Sequence, residues 1–227
     1  MFKSNRLNNL TLSTVCLLLT LFQYSCQTNT PSKRITIASS GKVNSLDPAR
    51  ANTLKALQLI SSLGDTLYEL DNDGELIPKL ASKMPVISKD KLKISISLKK
   101  NILFHDGTPF DSKAMKFTIE RFQRIGTNNY ILDKKIKSIE TPNKNTLIIN
   151  LNKPTSSLEG LLTSVNLTAI SPSFYKNHID KFLNNNFVGT GQYVLKSFSN
   201  EVQILDPNLN YWDLKPKNHG INFVGYS

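Results

Sequence analysis

The chain of 227 residues carries 28 lysine and arginine residues against 17 aspartate and glutamate residues, which gives a formal net charge of +11. Of the two cysteines, Cys16 lies inside an apolar N-terminal run and would be removed with it, which would leave one cysteine and no internal disulfide. The lysines are scattered over predicted strand edges and loops, without zinc-finger spacing or an aromatic ribonucleoprotein motif, so we expect no nucleic-acid partner. The positive charge is better suited to attraction toward anionic lipid headgroups.

Residues 1–25 are predicted to be an export signal peptide. Lys3 and Arg6 give a positive start, and residues 10–22 are mostly apolar. That apolar stretch is too short to be favoured as a membrane-spanning helix. We therefore expect the protein to be exported, to the periplasm or to the cell surface.

Cys26 is the predicted lipid-attachment residue. Cleavage after Ser25 would make it the first residue of the mature chain, where a bacterial lipoprotein carries its lipid, and residues 26–34 would form a polar tether to the membrane surface. Gln23 occupies the position three before the cysteine, where an aliphatic residue is usual. Ordinary secretion with cleavage near Ser25 is the alternative.

The first predicted elements of the mature chain are a strand, a helix and a turn. Ile35 to Ala38 is a short strand rich in β-branched residues, and the stretch from about Thr53 to Leu70 has helical periodicity. Asn72-Asp73-Gly74 marks a turn after that helix.

The middle of the chain mixes strands and helices. Apolar and polar residues alternate from Leu92 to Leu98, which predicts a strand with one buried face. The run from Phe104 to Asp111 combines turn residues with two phenylalanines that can bury, and it predicts a structural corner. Asp111 then suits the N-cap of a helix from Ser112 to Arg124. The remaining predicted elements are strands at Ile136 to Ile139, Thr146 to Leu151, Tyr193 to Phe198, Val202 to Leu205 and Ile221 to Gly225, and short helices at Ser157 to Thr163 and Pro172 to Lys176.

No catalytic, metal or cofactor site is predicted. His105 has no second histidine or cysteine near it in sequence, and His178 and His219 are equally isolated. The chain has no Gly-x-Ser-x-Gly elbow, and Gly189-Thr190-Gly191 lacks the length and the following lysine of a phosphate loop. We expect this glycine pair to allow two backbone segments to approach closely.

Four segments carry a family resemblance when they are taken together in chain order. They are Ser45-Leu46-Asp47-Pro48, Asp65-Thr66-Leu67-Tyr68-Glu69 running into Leu76-Ile77-Pro78-Lys79-Leu80-Ala81, the corner from Phe104 to Asp111, and Gly189-Thr190-Gly191-Gln192-Tyr193 followed by Asn210-Tyr211-Trp212. In this order they resemble the family 5 extracellular solute-binding proteins, the dipeptide, oligopeptide and nickel binders of ABC importers. Gln192 departs from the proline that is usual there, and members of the family are normally much longer than this chain.

The resemblance implies an α/β, periplasmic-binding-protein-like fold (type II, family 5), with mixed sheets flanked by helices. Residues 35–75 would form the first part of lobe I, residues 76–186 an inserted accessory subdomain, and residues 187–227 the return strands of lobe I. The match is to the N-terminal part of such a protein, so we expect the first lobe to be incomplete and the second lobe to be missing.

The resemblance also implies a ligand-contact loop. An ungapped alignment to the oligopeptide binders places Asn52, Thr53 and Leu54 on the loop that faces the bound peptide, whose backbone such a loop can pair with. The alternative, that these residues only lead into a helix, stays open. Asp47-Pro48 and Trp212 are assigned to structure.

The implied function is that of the substrate-binding component of an ABC importer for peptides or related small solutes. Its partners would be the solute, the permease subunits, a membrane surface and a second polypeptide carrying the missing lobe. One alternative is a truncated inactive fragment or one half of a split binding protein. Another is a secreted cell-wall hydrolase. Because two lobes close around the solute in this family, the chain alone would supply half of a clamp.

Overall fold

Two four-stranded sheets organise the computed structural model, which describes residues 34–132, 134–155, 158–178 and 180–226. The predicted signal peptide and Cys26 lie outside the described residues, as does the predicted tether apart from Arg34. The Arg34 guanidinium forms an ion pair with Asp206 at 2.7 Å. Within the described residues, no helix has both the length and the apolar character needed to cross a bilayer.

The strands and helices follow the predicted order. The strands are β1 (Ile35–Ser40), β2 (Tyr68–Leu70), β3 (Leu76–Pro78), β4 (Val86–Ile87), β5 (Lys93–Ser97), β6 (Ile136–Asn143), β7 (Thr146–Leu151), β8 (Tyr193–Phe198), β9 (Val202–Pro207) and β10 (Ile221–Tyr226). The α-helices are α1 (Leu54–Leu63), α2 (Ser112–Ile125), α3 (Leu158–Leu161) and α4 (Pro172–Tyr175). Short 3-10 turns lie at Asn129–Ile131, Val165–Leu167 and Lys176–His178. Each strand predicted from the sequence is present, although several ends differ by a few residues.

The first sheet has the strand order β1-β10-β9-β8. β1 pairs in parallel with β10, with Ile35 opposite Ile221, and the other neighbouring pairs are antiparallel. The sheet is therefore mixed, and its parallel pair joins strands from the two ends of the described chain. Helix α1 buries its apolar face in the same core as Leu205 and Phe223 of this sheet.

The second sheet has the order β4-β5-β7-β6 and is antiparallel throughout. Ile94 and Ile96 of β5 are buried, as the alternation in the sequence predicts. Met115, Ile119 and Phe122 of α2 are buried in the same core, because they recur along one face of the helix. The amphipathic α2 thus covers the apolar face of this sheet.

The predicted corner between β5 and α2 is confirmed. The rings of Phe104 and Phe110 are both buried and meet edge to face, with centroids 6.0 Å apart. Gly107 has a φ of +79°, which favours glycine. The Asp111 side chain accepts a hydrogen bond from the backbone N–H of Lys113 at 2.9 Å and caps α2 as predicted.

The predicted extension of the first helix to Leu70 is wrong. Helix α1 ends at Leu63, and residues 68–70 form β2. The reason is a close approach of two backbones: a Cβ atom added to Gly191 would lie 2.4 Å from the Gly64 nitrogen, and the Gly191 N–H donates to the Leu63 carbonyl oxygen at 3.0 Å. This contact occupies the end of the helix and confirms the expected role of the glycine pair.

The hairpin of β2 and β3 was not predicted, but its turn was. The Asp71 side chain accepts hydrogen bonds from the backbone N–H groups of Asp73 and Glu75, each at 2.9 Å. Gly74 has a φ of +81°. Strands of two or three residues, such as β2, β3 and β4, are too short to show periodicity in sequence.

Candidate functional site

One edge of the first sheet collects the carboxyl ends of two parallel strands and the start of a helix. β1 and β10 run in the same direction and therefore end together, and α1 begins beside them. A Cβ atom added to Gly225 in β10 would lie 2.7 Å from the Lys55 Nζ atom in the first turn of α1, and 3.6 Å from the carbonyl oxygen of Gly41, just after β1. Such edges of α/β sheets are common ligand sites. We call residues 41–54, which end at the first residue of α1, the edge loop.

A buried ion pair fixes the base of the edge loop. The Asp47 carboxylate accepts from Arg121 Nη1 at 2.9 Å and from Nη2 at 2.6 Å, and both side chains are buried. The same carboxylate accepts from the backbone N–H groups of Ala49 at 3.0 Å and Leu183 at 2.8 Å. A bidentate pair with additional donors holds the loop in one geometry. This arrangement agrees with the structural role assigned to Asp47-Pro48.

Asn44 ties the two ends of the edge loop together. Its Oδ1 atom accepts from the backbone N–H of Thr53 at 3.3 Å, from the Thr53 hydroxyl at 3.0 Å and from the backbone N–H of Asn52 at 3.4 Å. The loop therefore enters α1 in a fixed conformation. Fixed backbone groups bind an extended ligand at lower entropic cost than mobile ones.

Asn166 fixes the middle of the edge loop from the neighbouring 3-10 turn. Its Nδ2 atom donates to the Pro48 carbonyl oxygen at 2.6 Å and to the Ala51 carbonyl oxygen at 2.9 Å. These two hydrogen bonds hold the middle of the loop against the 3-10 turn.

The three predicted contact residues lie at that entry. Asn52 is exposed, Thr53 is half-buried, and the Leu54 side chain is 74% exposed. The Thr53 hydroxyl also accepts from the Ala56 N–H at 3.4 Å as the N-cap of α1. Thr53 thus has a structural role of its own, whereas the Leu54 side chain is mostly exposed. Contact between these residues and a solute stays a prediction.

A separate cavity of about 400 Å³ lies at the other end of α1. Its charged lining residues are Asp65, Glu69 and Lys79, and the Lys79 Nζ atom is 3.6 Å from a Glu69 carboxylate oxygen. This lining is neither strongly acidic nor strongly basic, so it favours no ionic ligand.

The carboxylate of Asp65 in that cavity accepts three hydrogen bonds from within the fold. It accepts from the Tyr211 hydroxyl at 2.9 Å, the Thr190 hydroxyl at 2.8 Å and the Trp212 indole N–H at 3.1 Å. Burial and the adjacent Asp65 charge raise the pKa of Tyr211. These contacts support the structural role assigned to Trp212, and they give Asp65 a structural role as well.

His105 is enclosed by the corner and the glycine pair. Its Nε2 atom is 3.1 Å from the Gly191 carbonyl oxygen, and burial lowers the pKa of the ring. Across the part of the chain that the structure describes, no group of three or more histidine, cysteine, aspartate or glutamate residues is placed to hold a metal ion.

Sequence reasoning missed the residues that shape the edge loop. Asn44 and Asn166 are far apart in the chain, and no local motif links them to the loop. Lys55 did carry a signal, because it falls on the same helical face as the buried Ala56, Leu59 and Leu63. A lysine on an apolar face is a departure that sequence reading can detect.

The chain is similar to known binding proteins in sequence. The family described as "Bacterial extracellular solute-binding proteins, family 5 Middle" matches residues 75–227. The probable D,D-dipeptide-binding periplasmic protein DdpA of Escherichia coli K12 is 27% identical over 209 residues, covering 87% of this chain and 40% of DdpA. The glutathione-binding protein GsiB of Escherichia coli O1:K1 is 29% identical over 170 residues, covering 74% of this chain and 33% of GsiB. The chain thus spans less than half the length of these relatives.

The fold is similar to that of solved binding proteins. Listeria monocytogenes OppA bound to peptide has a TM-score of 0.78 at 23% identity, covering 87% of this chain and 43% of OppA. NikZ from Campylobacter jejuni in complex with Ni(L-His) has a TM-score of 0.76 at 25% identity, covering 86% of this chain and 40% of NikZ. These similarities confirm the predicted α/β fold with mixed sheets and flanking helices.

Proposed function

Because the chain belongs to the bacterial extracellular solute-binding proteins of family 5, we propose that it is the substrate-binding component of an ABC importer for peptides or related small solutes. It captures the solute non-covalently and delivers it to the permease subunits. Peptides are the favoured class because its relatives include a probable D,D-dipeptide-binding protein, a glutathione-binding protein and a binding protein solved with a bound peptide.

The observation that carries this proposal is the preformed edge loop at the carboxyl ends of β1 and β10. Its backbone is held by Asp47, Asn44 and Asn166, while Asn52 and Leu54 face solvent. A fixed backbone with exposed groups suits recognition of an extended peptide main chain, which does not depend on the side chains of the peptide. This surface contacts the solute from one side.

The proposed capture needs a second surface. Binding proteins of this type enclose the solute between two lobes that close by a hinge motion, which removes water from the ligand. We propose that residues 35–75 and 187–227 belong to lobe I and that residues 76–186 form an inserted accessory subdomain. The parallel pairing of β1 with β10 and the separate β4-β5-β7-β6 sheet support this division.

The proposal extends to location and partners. Export follows from the predicted signal peptide at residues 1–25, and Cys26 is the proposed site of a lipid anchor at a membrane surface. The permease subunits are the proposed docking partners. A second polypeptide that carries the opposing lobe is a further proposed partner, because binding proteins of this type close two lobes around the solute.

A calorimetric titration tests the proposal. The chain without the predicted signal peptide is titrated with a mixed library of dipeptides and oligopeptides. One lobe alone is expected to bind with a dissociation constant weaker than about 1 mM. Micromolar affinity would contradict the need for a second lobe. Saturation-transfer NMR detects binding that is too weak for calorimetry. The absence of saturation transfer to every peptide would contradict solute binding.

Two matched leucines provide the control. Leu54 is 74% exposed at the edge loop, and Leu209 is 73% exposed outside it. We expect Leu54→Asp to remove most of the saturation transfer and Leu209→Asp to leave it unchanged. Equal effects of the two substitutions would show that contact does not occur at the edge loop.

A further inference from the structure

Lys55 is a buried cation on the core-facing side of α1. The residue is 3% exposed, and it lies beside the buried Ala56, Leu59 and Ile60 of the same helix. Lysine is almost never fully buried unless it is paired. Its burial therefore requires an explanation.

The Lys55 ammonium has no partner among the described residues. Its Nζ atom is buried without a hydrogen bond, and none of the ion pairs of the described chain includes it. Burial lowers the pKa of the amine. The position of Lys55 in the first turn of α1 also makes the charged amine less favourable, because the partial positive charge at a helix N-terminus disfavours a cation. The position is thus electropositive and lacks an anion.

Because Gly225 has no side chain, the Lys55 ammonium can occupy the space beside it. A Cβ atom at this position would lie 2.7 Å from Lys55 Nζ, which is too close for a side chain. That Cβ position is also 3.4 Å from the Glu201 carbonyl oxygen and 3.6 Å from the Gly41 carbonyl oxygen. The ammonium therefore lies at the strand ends that define the candidate site. The lysine stem is flexible, and rotation about it can move the ammonium from this space toward the edge.

We propose that Lys55 binds a carboxylate of the solute at the edge loop, an inference that rests on the proposed solute-binding function. A single ammonium together with the N-terminus of α1, a helix of 10 residues, suits a ligand group of one negative charge. The neighbouring Asn52, Thr53 and Leu54 are uncharged, and the edge-loop cations Lys42 and Arg50 are exposed, so Lys55 is the buried cation at this entry. The carboxylate comes either from the end of a peptide or from an acidic side chain.

Three peptides distinguish these sources. The probes are N-acetyl-dialanine with a free carboxylate, the same peptide as its C-terminal amide, and N-acetyl-alanyl-glutamic acid amide, which carries only a side-chain carboxylate. NMR of the chain with isotope-labelled lysines follows the Lys55 side-chain signals in each titration. We expect these signals to shift with one or both carboxylate peptides and to stay unchanged with the amide.

Substitution gives the second measurement. Lys55→Met keeps the length of the stem and removes the charge. It is expected to weaken binding of the preferred carboxylate peptide by about tenfold or more and to change binding of the amide by less than about twofold. Lys137→Met, at an exposed lysine of β6, is the matched control and should change neither affinity.

The outcomes separate this inference from the function on which it rests. If the acid and the amide bind equally while the Lys55 signals do not move, carboxylate recognition by Lys55 is overturned and solute binding stands. If no resonance of the protein responds to any peptide, both are overturned. If Lys55→Met only changes stability, the ammonium serves folding or the docking of another polypeptide segment, and the inference is also overturned.

Discussion

Two buried cations differ in what surrounds them. Arg121 on α2 is 2% exposed, and its guanidinium is bonded to Asp47 and to the Lys181 carbonyl oxygen, with the Tyr175 ring 5.0 Å away. Lys55 on α1 is 3% exposed and has no partner among the described residues. The first charge is satisfied by the fold and holds the edge loop, whereas the second is left available at the same edge. Burial alone therefore does not show whether the fold satisfies a charge.

The largest expected effect comes from breaking the satisfied pair. Arg121→Met leaves the buried Asp47 carboxylate without its partner and should lower the free energy of unfolding by about 3–5 kcal/mol. Urea denaturation measures it. The double variant with Asp47→Leu should recover part of the loss, because both charges are then removed. A loss under about 1 kcal/mol for the single variant would mean that the pair does not hold the loop.

The opposite end of α1 gives the next largest effect. A methyl group at Gly191 would collide with the backbone of Leu63 and Gly64, since its Cβ would lie 2.4 Å from atoms of each. Gly191→Ala should lower the free energy of unfolding by about 1–3 kcal/mol in thermal or urea unfolding. Gly160→Ala is the control, because a Cβ atom there would meet nothing within 4 Å. Equal losses for the two variants would contradict the close-approach explanation.

Most elements of the fold could be predicted from the sequence, and the exceptions have a physical cause. The alternation in β5 and the cap at Asp111 are local signals, and both predictions are confirmed. The early end of α1 depends on Gly191, which lies far away in sequence and contacts Gly64 only in the folded chain. Local periodicity carries no information about such a contact.

The site was less accessible to sequence reasoning than the fold. The family resemblance, now confirmed by the match to residues 75–227, pointed to Asn52, Thr53 and Leu54. The two asparagines that hold the loop act through tertiary contacts and left no local pattern. Lys55 was detectable as a lysine among apolar helix positions, but the lack of a partner is visible only in three dimensions.

The comparison of the two cations predicts a gain in stability at Lys55. Lys55→Met removes a buried ammonium that has no partner among the described residues, and it should raise the free energy of unfolding by about 1 kcal/mol. Urea denaturation of this variant and of Arg121→Met measures both changes in the free energy of unfolding, which should have opposite signs. A clear loss of stability for Lys55→Met would show that the ammonium is satisfied within the fold.

Substitution of His105 should have the smallest effect on stability, and that effect should depend on pH. Burial lowers the pKa of its ring below the ordinary value of 6.5, although the hydrogen bond to Gly191 and the charges of Asp65 and Asp106 partly offset this. The unfolded chain therefore takes up a proton before the folded chain does, and stability falls as the pH decreases below about 6.5. Urea midpoints between about pH 7.5 and about pH 5.5 should fall less for His105→Gln than for the parent. Identical pH dependence in both proteins would contradict this role.

The most direct test of the account maps where a solute lies. The edge loop and the cavity at Asp65 lie at opposite ends of α1, whose 10 residues span about 15 Å. A dialanine peptide with a nitroxide label broadens the amide signals nearest to it. We predict the strongest broadening at Asn52, Thr53 and Leu54. The strongest broadening at Thr66 in the cavity, with the edge loop unchanged, would contradict the proposed site.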